Sequence, residues 1–139
     1  MKIQDQAYIA GIIDGEGCFQ LSKSANGYRP SLQISNTRYT LIEYLKKHLK
    51  GSISKTHRNP KHRPIWRLHV NPNDLRNIIE EVAPFLVIKK QQAVLIKKAL
   101  KINSTVCHHK GYEGSTNISQ RPVLTSLYRQ LRRLNKRGI

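Results

Sequence analysis

Four short segments alternate between apolar and polar residues, and this alternation restricts the fold of the chain more than any other feature. Residues 18–24 and 28–36 flank an Asn-Gly pair, and residues 52–58 and 63–70 flank a turn that contains proline. Alternation with a period of two is typical of half-buried strands, and Asn-Gly is a strong hairpin signal. The sequence therefore predicts two β-hairpins.

Helical patterns surround the two hairpins. Two hairpins can pair into one four-stranded antiparallel sheet that carries helices on a single face. We therefore predict an α+β fold with an αββαββα core, extra C-terminal helices and a single domain that spans residues 1–139. Apolar spacing and the positions of glycine and proline predict helices at residues 4–14, 37–50, 72–83, 88–102 and 123–136, with a polar loop at 103–119.

The charge of the chain indicates an anionic partner. Lysine and arginine number 25 against 8 acidic residues, which gives a formal net charge of +17. Residues 17–73 contain eleven basic residues and a single acid, Glu43. A surface that binds phosphate needs few carboxylates, because each one cancels attraction. Nucleic acid is the partner that this distribution favours.

Other partners and compartments fit the sequence less well. The chain has no apolar run near the roughly 18 residues that a membrane-spanning helix needs, and it has no signal-peptide pattern. Cys18 and Cys107 lie far apart and suggest no disulfide framework, which fits a reducing compartment. We expect an intracellular protein without a membrane partner; the sequence does not indicate the host.

The polar face of the predicted sheet is a candidate DNA-binding surface. Its side chains are arginine, glutamine, serine, threonine and histidine, without a carboxylate, and a two-stranded ribbon fits the major groove. An ordinary solvated sheet face would also be polar, but it would not exclude acids. We assign DNA contacts to Gln20, Ser22, Arg29, Ser31, Gln33, Arg38, Thr56, Arg58, Arg67 and His69.

Small residues recur at four-residue spacing along the first predicted helix. Ala7, Gly11 and Gly15 form this row, which would let two helix backbones approach closely. Such an approach would bring a carboxylate near the helix end close to its twin. Like charges at that distance require a cation between them, and Mg²⁺ suits oxygen ligands. We predict a dimer interface at Ala7, Ala10, Gly11 and Asp14.

Residues 9–17, IAGIIDGEG, resemble the LAGLIDADG motif of homing endonucleases, with Glu16 in place of the usual final aspartate. The order of hairpins and helices is similar to that family, as are residues 84–93 (PFLVIKKQQA) and 134–138 (LNKRG). The resemblance implies a homodimer that cleaves both strands of a long, pseudo-palindromic DNA site during intron homing. One motif per chain implies one half-site per chain.

The resemblance also implies roles for individual residues. Glu16 would bind Mg²⁺ together with Gly15 and act in catalysis, while Mn²⁺ or Ca²⁺ could replace Mg²⁺ for binding. Lys89 would organise water, with Lys90 as its rival, and Asn36 would be a further catalytic residue. Asp14 would be more structural than catalytic.

Two other functions remain open at this point. The same fold could serve an RNA maturase, which would bind intron RNA, or a DNA-binding regulator that has lost cleavage. Both Glu16 and Lys89 are present, which favours the nuclease, because a pure binder gains nothing from an acid beside phosphate.

Overall fold

The computed structural model describes residues 1–24, 27–57, 59–104 and 121–136. Arg58, Asn26 of the first predicted turn and residues 105–119 of the predicted loop lie outside these residues. In chain order the elements are α1 (Ile3–Glu16), β1 (Gly17–Ser24), β2 (Gly27–Asn36), α2 (Tyr39–Leu49), β3 (Ser52–Thr56), β4 (Ile65–Val70), α3 (Pro72–Val82), a 3-10 turn (Ala83–Phe85), α4 (Lys90–Ser104) and α5 (Arg121–Leu134).

The two hairpins pair into one antiparallel sheet in the order β1-β2-β4-β3, which confirms the predicted fold class. Strands β2 and β4 join the hairpins, with Ile34 opposite Leu68. The tip between β1 and β2 and the tip between β3 and β4 point toward opposite ends of the sheet. A surface built on this sheet therefore extends in two directions from its centre.

One face of the sheet is buried beneath the helices. Phe19, Leu32, Ile34, Leu68 and Val70 are at most 1% exposed, whereas the alternate strand positions are mostly polar. Each helix turns an apolar stripe toward this face, and these stripes form the other half of the core. This division leaves the opposite face of the sheet without helical cover.

Most helix ends differ from their predicted positions by one or two residues, and two of these differences lie at the same place in the fold. Helix α1 continues through Gly15 to Glu16, although glycine is a poor helix former, and α4 begins at Lys90 and not at residue 88. Both differences occur where these helices meet, because side chains of one helix region bind backbone groups of the other. Long-range contacts of this kind override local propensity.

No helix in the part of the chain that the structure describes combines the length and apolar character needed to cross a membrane.

Candidate active site

The end of α1 is held against the start of α4 by Asp14 and Lys89. The carboxylate of Asp14 accepts hydrogen bonds from the backbone N–H groups of Val87 (2.8 Å) and Lys89 (2.9 Å). The ammonium group of Lys89 donates to the backbone carbonyls of Ile13 (2.8 Å) and Asp14 (2.7 Å). Carbonyls in the last turn of a helix attract cations, and Lys89 binds that of Asp14 in addition to that of Ile13, which also accepts from the backbone N–H of Gly17. Lys89 therefore caps α1.

Glu16 is the last residue of α1, and its side chain is exposed. Across the described ranges it makes no hydrogen bond or ion pair. Gly17 follows in a tight place, because a Cβ there would lie 2.8 Å from the carbonyl oxygen of Ile13. The absence of a side chain at Gly17 lets β1 start directly after α1, and Glu16 stands at this junction.

A cleft of about 570 Å³ opens at this junction. Gly15, Glu16 and Lys89 lie in its wall, so the structure brings these predicted residues together. Strand β1 and the C-terminal end of α5 complete the cleft. The lining residues are 14–18, 88, 89, 92 and 134–136.

Two predicted catalytic candidates lie outside the cleft. Lys90 is exposed and lines a different cavity, beside Glu80. Asn36 lies opposite Trp66 at the end of β2, and its Oδ1 accepts a 2.8 Å hydrogen bond from the backbone N–H of Arg38. A short amide side chain readily binds the backbone two residues ahead, and here it shapes the turn into α2. Lys89 is thus the better placed of the two lysines.

The uncovered face of the sheet carries its polar side chains in rows across the strands. Gln33 of β2 lies between Cys18 of β1 and His69 of β4. In the next row, the Nε of Arg67 donates to the Oγ of Ser35 at 3.4 Å. Among the other predicted contacts, Gln20 and Thr56 are partly exposed, and Ser22, Arg29 and Arg38 are exposed.

Ser31 is an exception on this face, because it is only 2% exposed. Its hydroxyl has no hydrogen-bond partner among the described residues. The position alternates outward as predicted, but a small side chain opposite Gln20 in the middle of the sheet is covered by its surroundings. The hydroxyl of Ser31 is therefore not available to DNA in this conformation. Sequence reasoning also missed Ser35, Ser52 and Ser54, which share the open face by register.

Helix α1 has a buried and an exposed side. Ala7, Gly11 and Gly15 are exposed, and a Cβ built on either glycine meets nothing within 4 Å. Packing within the protomer therefore does not require glycine at either of these two positions. Ala10 is fully buried beside Ile9 and Ile13, so its predicted place in a dimer interface is wrong. Its helical position turns it toward the protomer's own core.

The N-terminal half of α1 is also fixed to its neighbours. The hydroxyl of Tyr44 donates to the carboxylate of Asp5 at 2.8 Å, and this hydrogen bond raises the pKa of Tyr44. The N-terminal amine lies 3.1 Å from the carboxylate of Glu81 and, with Gln6, lowers the pKa of Glu81. Both ends of α1 are therefore positioned, which fixes the direction of its exposed side.

The C-terminal end of α5 is a part of the site to which sequence reasoning gave no role. The Nδ2 of Asn135 donates to the backbone carbonyl of Phe19 at 2.8 Å, and Asn135 and Lys136 line the cleft. The similarity of residues 134–138 to a family tail was the only signal.

Comparisons with known proteins agree with this architecture. The sequence matches a family model described as LAGLIDADG endonuclease over residues 9–100. The structure is similar to the archaeal intron-encoded homing endonuclease I-Vdi141I complexed with DNA (TM-score 0.78, 23% identity, 98% of this chain and 87% of that chain). It is also similar to the homing endonuclease I-CvuI, solved with DNA in the presence of Mg (TM-score 0.74, 19% identity, 98% and 84%).

A third similar structure is longer. The LAGLIDADG meganuclease I-AabMI bound to uncleaved DNA aligns with 88% of this chain, but the alignment covers only 43% of that protein (TM-score 0.67, 23% identity). A comparison with curated protein sequences gave no match.

Proposed function

The chain belongs to the LAGLIDADG endonuclease family, and we propose that it is a site-specific homing endonuclease that cuts both strands of a long, pseudo-palindromic DNA site as a homodimer. The observation that carries this proposal is the position of Glu16. Its carboxylate is exposed in a cleft, has no partner within the described ranges, and follows directly on the exposed row of small residues.

The homodimer rests on the exposed side of α1. Two copies that pack Ala7 and Gly11 against each other would place their Glu16 carboxylates on either side of a two-fold axis. The chain spans 87% of one DNA-bound relative but 43% of another, so a chain of the second kind has room for two such units. A two-fold dimer fits a target with two-fold character.

The residues at the end of α1 fit a divalent metal. Glu16 offers a carboxylate oxygen and Gly15 a carbonyl oxygen, and such hard ligands suit Mg²⁺, with Mn²⁺ or Ca²⁺ as substitutes for binding. No cluster of three or more His, Cys, Asp or Glu side chains occurs in the described part of the chain. The remaining ligands would therefore come from phosphate, water and the partner copy. Bound metal polarises a phosphate and activates water.

Lys89 supports this site by holding the backbone at the end of α1. Its ammonium group holds the carbonyls of Ile13 and Asp14 and faces the same cleft as Glu16. We therefore assign Lys89 to the orientation of α1 and to the positive potential of the cleft, where it would organise water. Asn36 stays a candidate whose contribution would require DNA or a partner copy.

The open face of the sheet would bind the major groove. Gln33, Arg67 and His69 lie in adjacent rows and carry the donors and acceptors that recognise base edges. Arg29 and Ser22 lie toward one hairpin tip and Thr56 toward the other. The maturase and the cleavage-inactive regulator are weaker alternatives, because an unpaired acid beside phosphate opposes binding without a metal.

The test uses a duplex in which the two DNA segments that flank the reading frame are joined directly, without the reading frame. Cleavage of this duplex is measured. We expect double-strand cleavage at one position with Mg²⁺, none with EDTA, and binding without cleavage in Ca²⁺. Tight binding of this DNA without cleavage in Mg²⁺ or Mn²⁺ would support the regulator. Preference for intron RNA over this DNA would support the maturase.

A further inference from the structure

We propose that the C-terminal end of α5 forms a phosphate-binding subsite of the cleft, in which Lys136 binds a DNA backbone phosphate at the cleavage position. This inference rests on the proposed function for the identity of the ligand. It assigns a task to a residue that neither the motif nor the family match includes, since the matched region ends at residue 100.

Of the charged side chains that line the cleft, two are held by hydrogen bonds to the backbone and two are not. The Asp14 carboxylate binds two backbone N–H groups, and the Lys89 ammonium binds two backbone carbonyls. The side chains of Glu16 and Lys136 make no hydrogen bond or ion pair with any described residue, and no salt bridge within 4.0 Å joins them. Among the described residues that line the cleft, Lys136 is therefore the cation that can bind a ligand without giving up a side-chain contact.

The backbone that carries Lys136 is held in place. The Nδ2 of Asn135 donates to the carbonyl of Phe19, three residues after Glu16, at 2.8 Å. On the other side, Gln92 is only 7% exposed and its Nε2 lies 3.5 Å from the carbonyl of Leu134. The backbone N–H of Lys136 continues the helix by binding the carbonyl of Arg133 at 3.3 Å. The hydrogen bond from Asn135 thus attaches the end of α5 to β1, the strand that follows Glu16.

The chemistry of the cleft favours phosphate as the ligand. Glu16 repels an approaching phosphate until a metal is bound, so a cation on another wall is needed to keep the DNA strand in the cleft. A lysine ammonium is a compact point charge with three donors on a flexible stem, which suits a phosphate oxygen whose position shifts during cleavage. Lys136 would therefore contribute to docking of the strand at the site of the reaction.

The experiment compares Lys136→Ala and Lys136→Arg with Lys98→Ala, a matched loss of one charge at an exposed position of α4 outside the cleft. DNA binding is measured in Ca²⁺ over a range of salt concentrations. Loss of one phosphate contact per protomer makes the log–log slope shallower by about 0.9, or about 1.8 for the dimer. We expect this change for Lys136→Ala, recovery in Lys136→Arg and no change for Lys98→Ala.

A second arm locates the phosphate. Neutral methylphosphonates replace single phosphates around the cleavage position, and binding is measured again. We expect one position at which the replacement weakens binding by the wild type but not by Lys136→Ala. The proposal is overturned if Lys136→Ala keeps the wild-type slope, or if the wild type and Lys136→Ala respond equally at every position. If the wild type binds DNA but fails to cut it with Mg²⁺, the proposed nuclease function is wrong and the phosphate-binding role of Lys136 still stands. If the wild type binds no DNA, both proposals are overturned.

Discussion

Asp14 and Lys89 are joined by two reciprocal hydrogen bonds, each between the backbone of one residue and the side chain of the other. The backbone N–H of Lys89 donates to the Asp14 carboxylate at 2.9 Å, and the Lys89 ammonium donates to the Asp14 backbone carbonyl at 2.7 Å. The first bond fixes the start of α4 and the second fixes the end of α1. Asp14 and Glu16 are separated by one residue in sequence but differ in their contacts. The Asp14 carboxylate is bound to backbone N–H groups, and the Glu16 carboxylate is not.

Asp14→Asn should lower stability. An amide accepts at one position only, so one of the two N–H groups now bound by the carboxylate would face another donor. Loss of a partly buried hydrogen bond to a charged group costs roughly 1–3 kcal/mol. Thermal unfolding of the metal-free protein measures the effect, with Glu16→Gln as the control that should change the midpoint little. Equal midpoints for wild type and Asp14→Asn would contradict a structural role for Asp14.

Glu16→Gln should abolish cleavage while DNA binding without metal is kept or becomes tighter. The side chain keeps its size, and the negative charge beside phosphate is removed. Single-turnover cleavage and binding are measured on the same duplex. Glu16→Asp should remain partly active, because a carboxylate is retained at a shorter reach. Cleavage by Glu16→Gln at the wild-type rate would remove Glu16 from the metal site.

Gly11→Leu should produce a folded monomer. The space around this residue is open within the protomer, and leucine favours a helix by up to about 1 kcal/mol over glycine. Weakened assembly would therefore reflect the second copy and not the protomer fold. Analytical ultracentrifugation measures the change, and Gln91→Leu at an exposed position of α4 is the control. A Gly11→Leu dimer as stable as the wild type would place the interface elsewhere.

Substitution of Gln33 or Arg67 should relax base preference at symmetric positions of the target. One good bidentate contact discriminates by roughly 1–3 kcal/mol. A cleavage profile over a library of single-base variants measures this, and it should move at one or two base pairs in each half-site. Ser31→Ala is the matched control on the same face, because its buried hydroxyl should contribute nothing to the profile. Unchanged profiles for both Gln33 and Arg67 variants would mean that other residues recognise the bases.

Much of the fold could be predicted from periodicity. Leu32, Ile34, Leu68 and Val70 alternate with polar residues, and because each strand has one buried face, this pattern alone sets which side packs against helices. That the two hairpins share one sheet was predicted as well, but the pairing of β2 with β4 is seen only in the structure. Local sequence was therefore sufficient to predict the strands and the face of each strand that is buried.

The remaining features depend on contacts between distant parts of the chain. Helix α1 runs past Gly15, and Lys89, 75 residues beyond Asp14, supplies a donor to the Asp14 carbonyl near its end. Ala10 looks like a small interface residue in sequence, but the rotation of α1 on the sheet turns it inward. Asn135 could not be assigned to the cleft, because only tertiary packing brings α5 to β1.

The two sides of α1 limit how the motif can drift in evolution. The protomer's own core fixes Ile9, Ala10 and Ile13. In the proposed homodimer, a substitution on the exposed side of α1 would act twice, since one gene encodes both copies. A compensating change on the opposite helix would then be unavailable, because that helix would carry the same substitution. Glu16 stands apart from these restrictions at an exposed junction. If Glu16 holds the proposed metal, the chain departs from the usual family aspartate at a position where chemistry, and not packing, decides which residue survives.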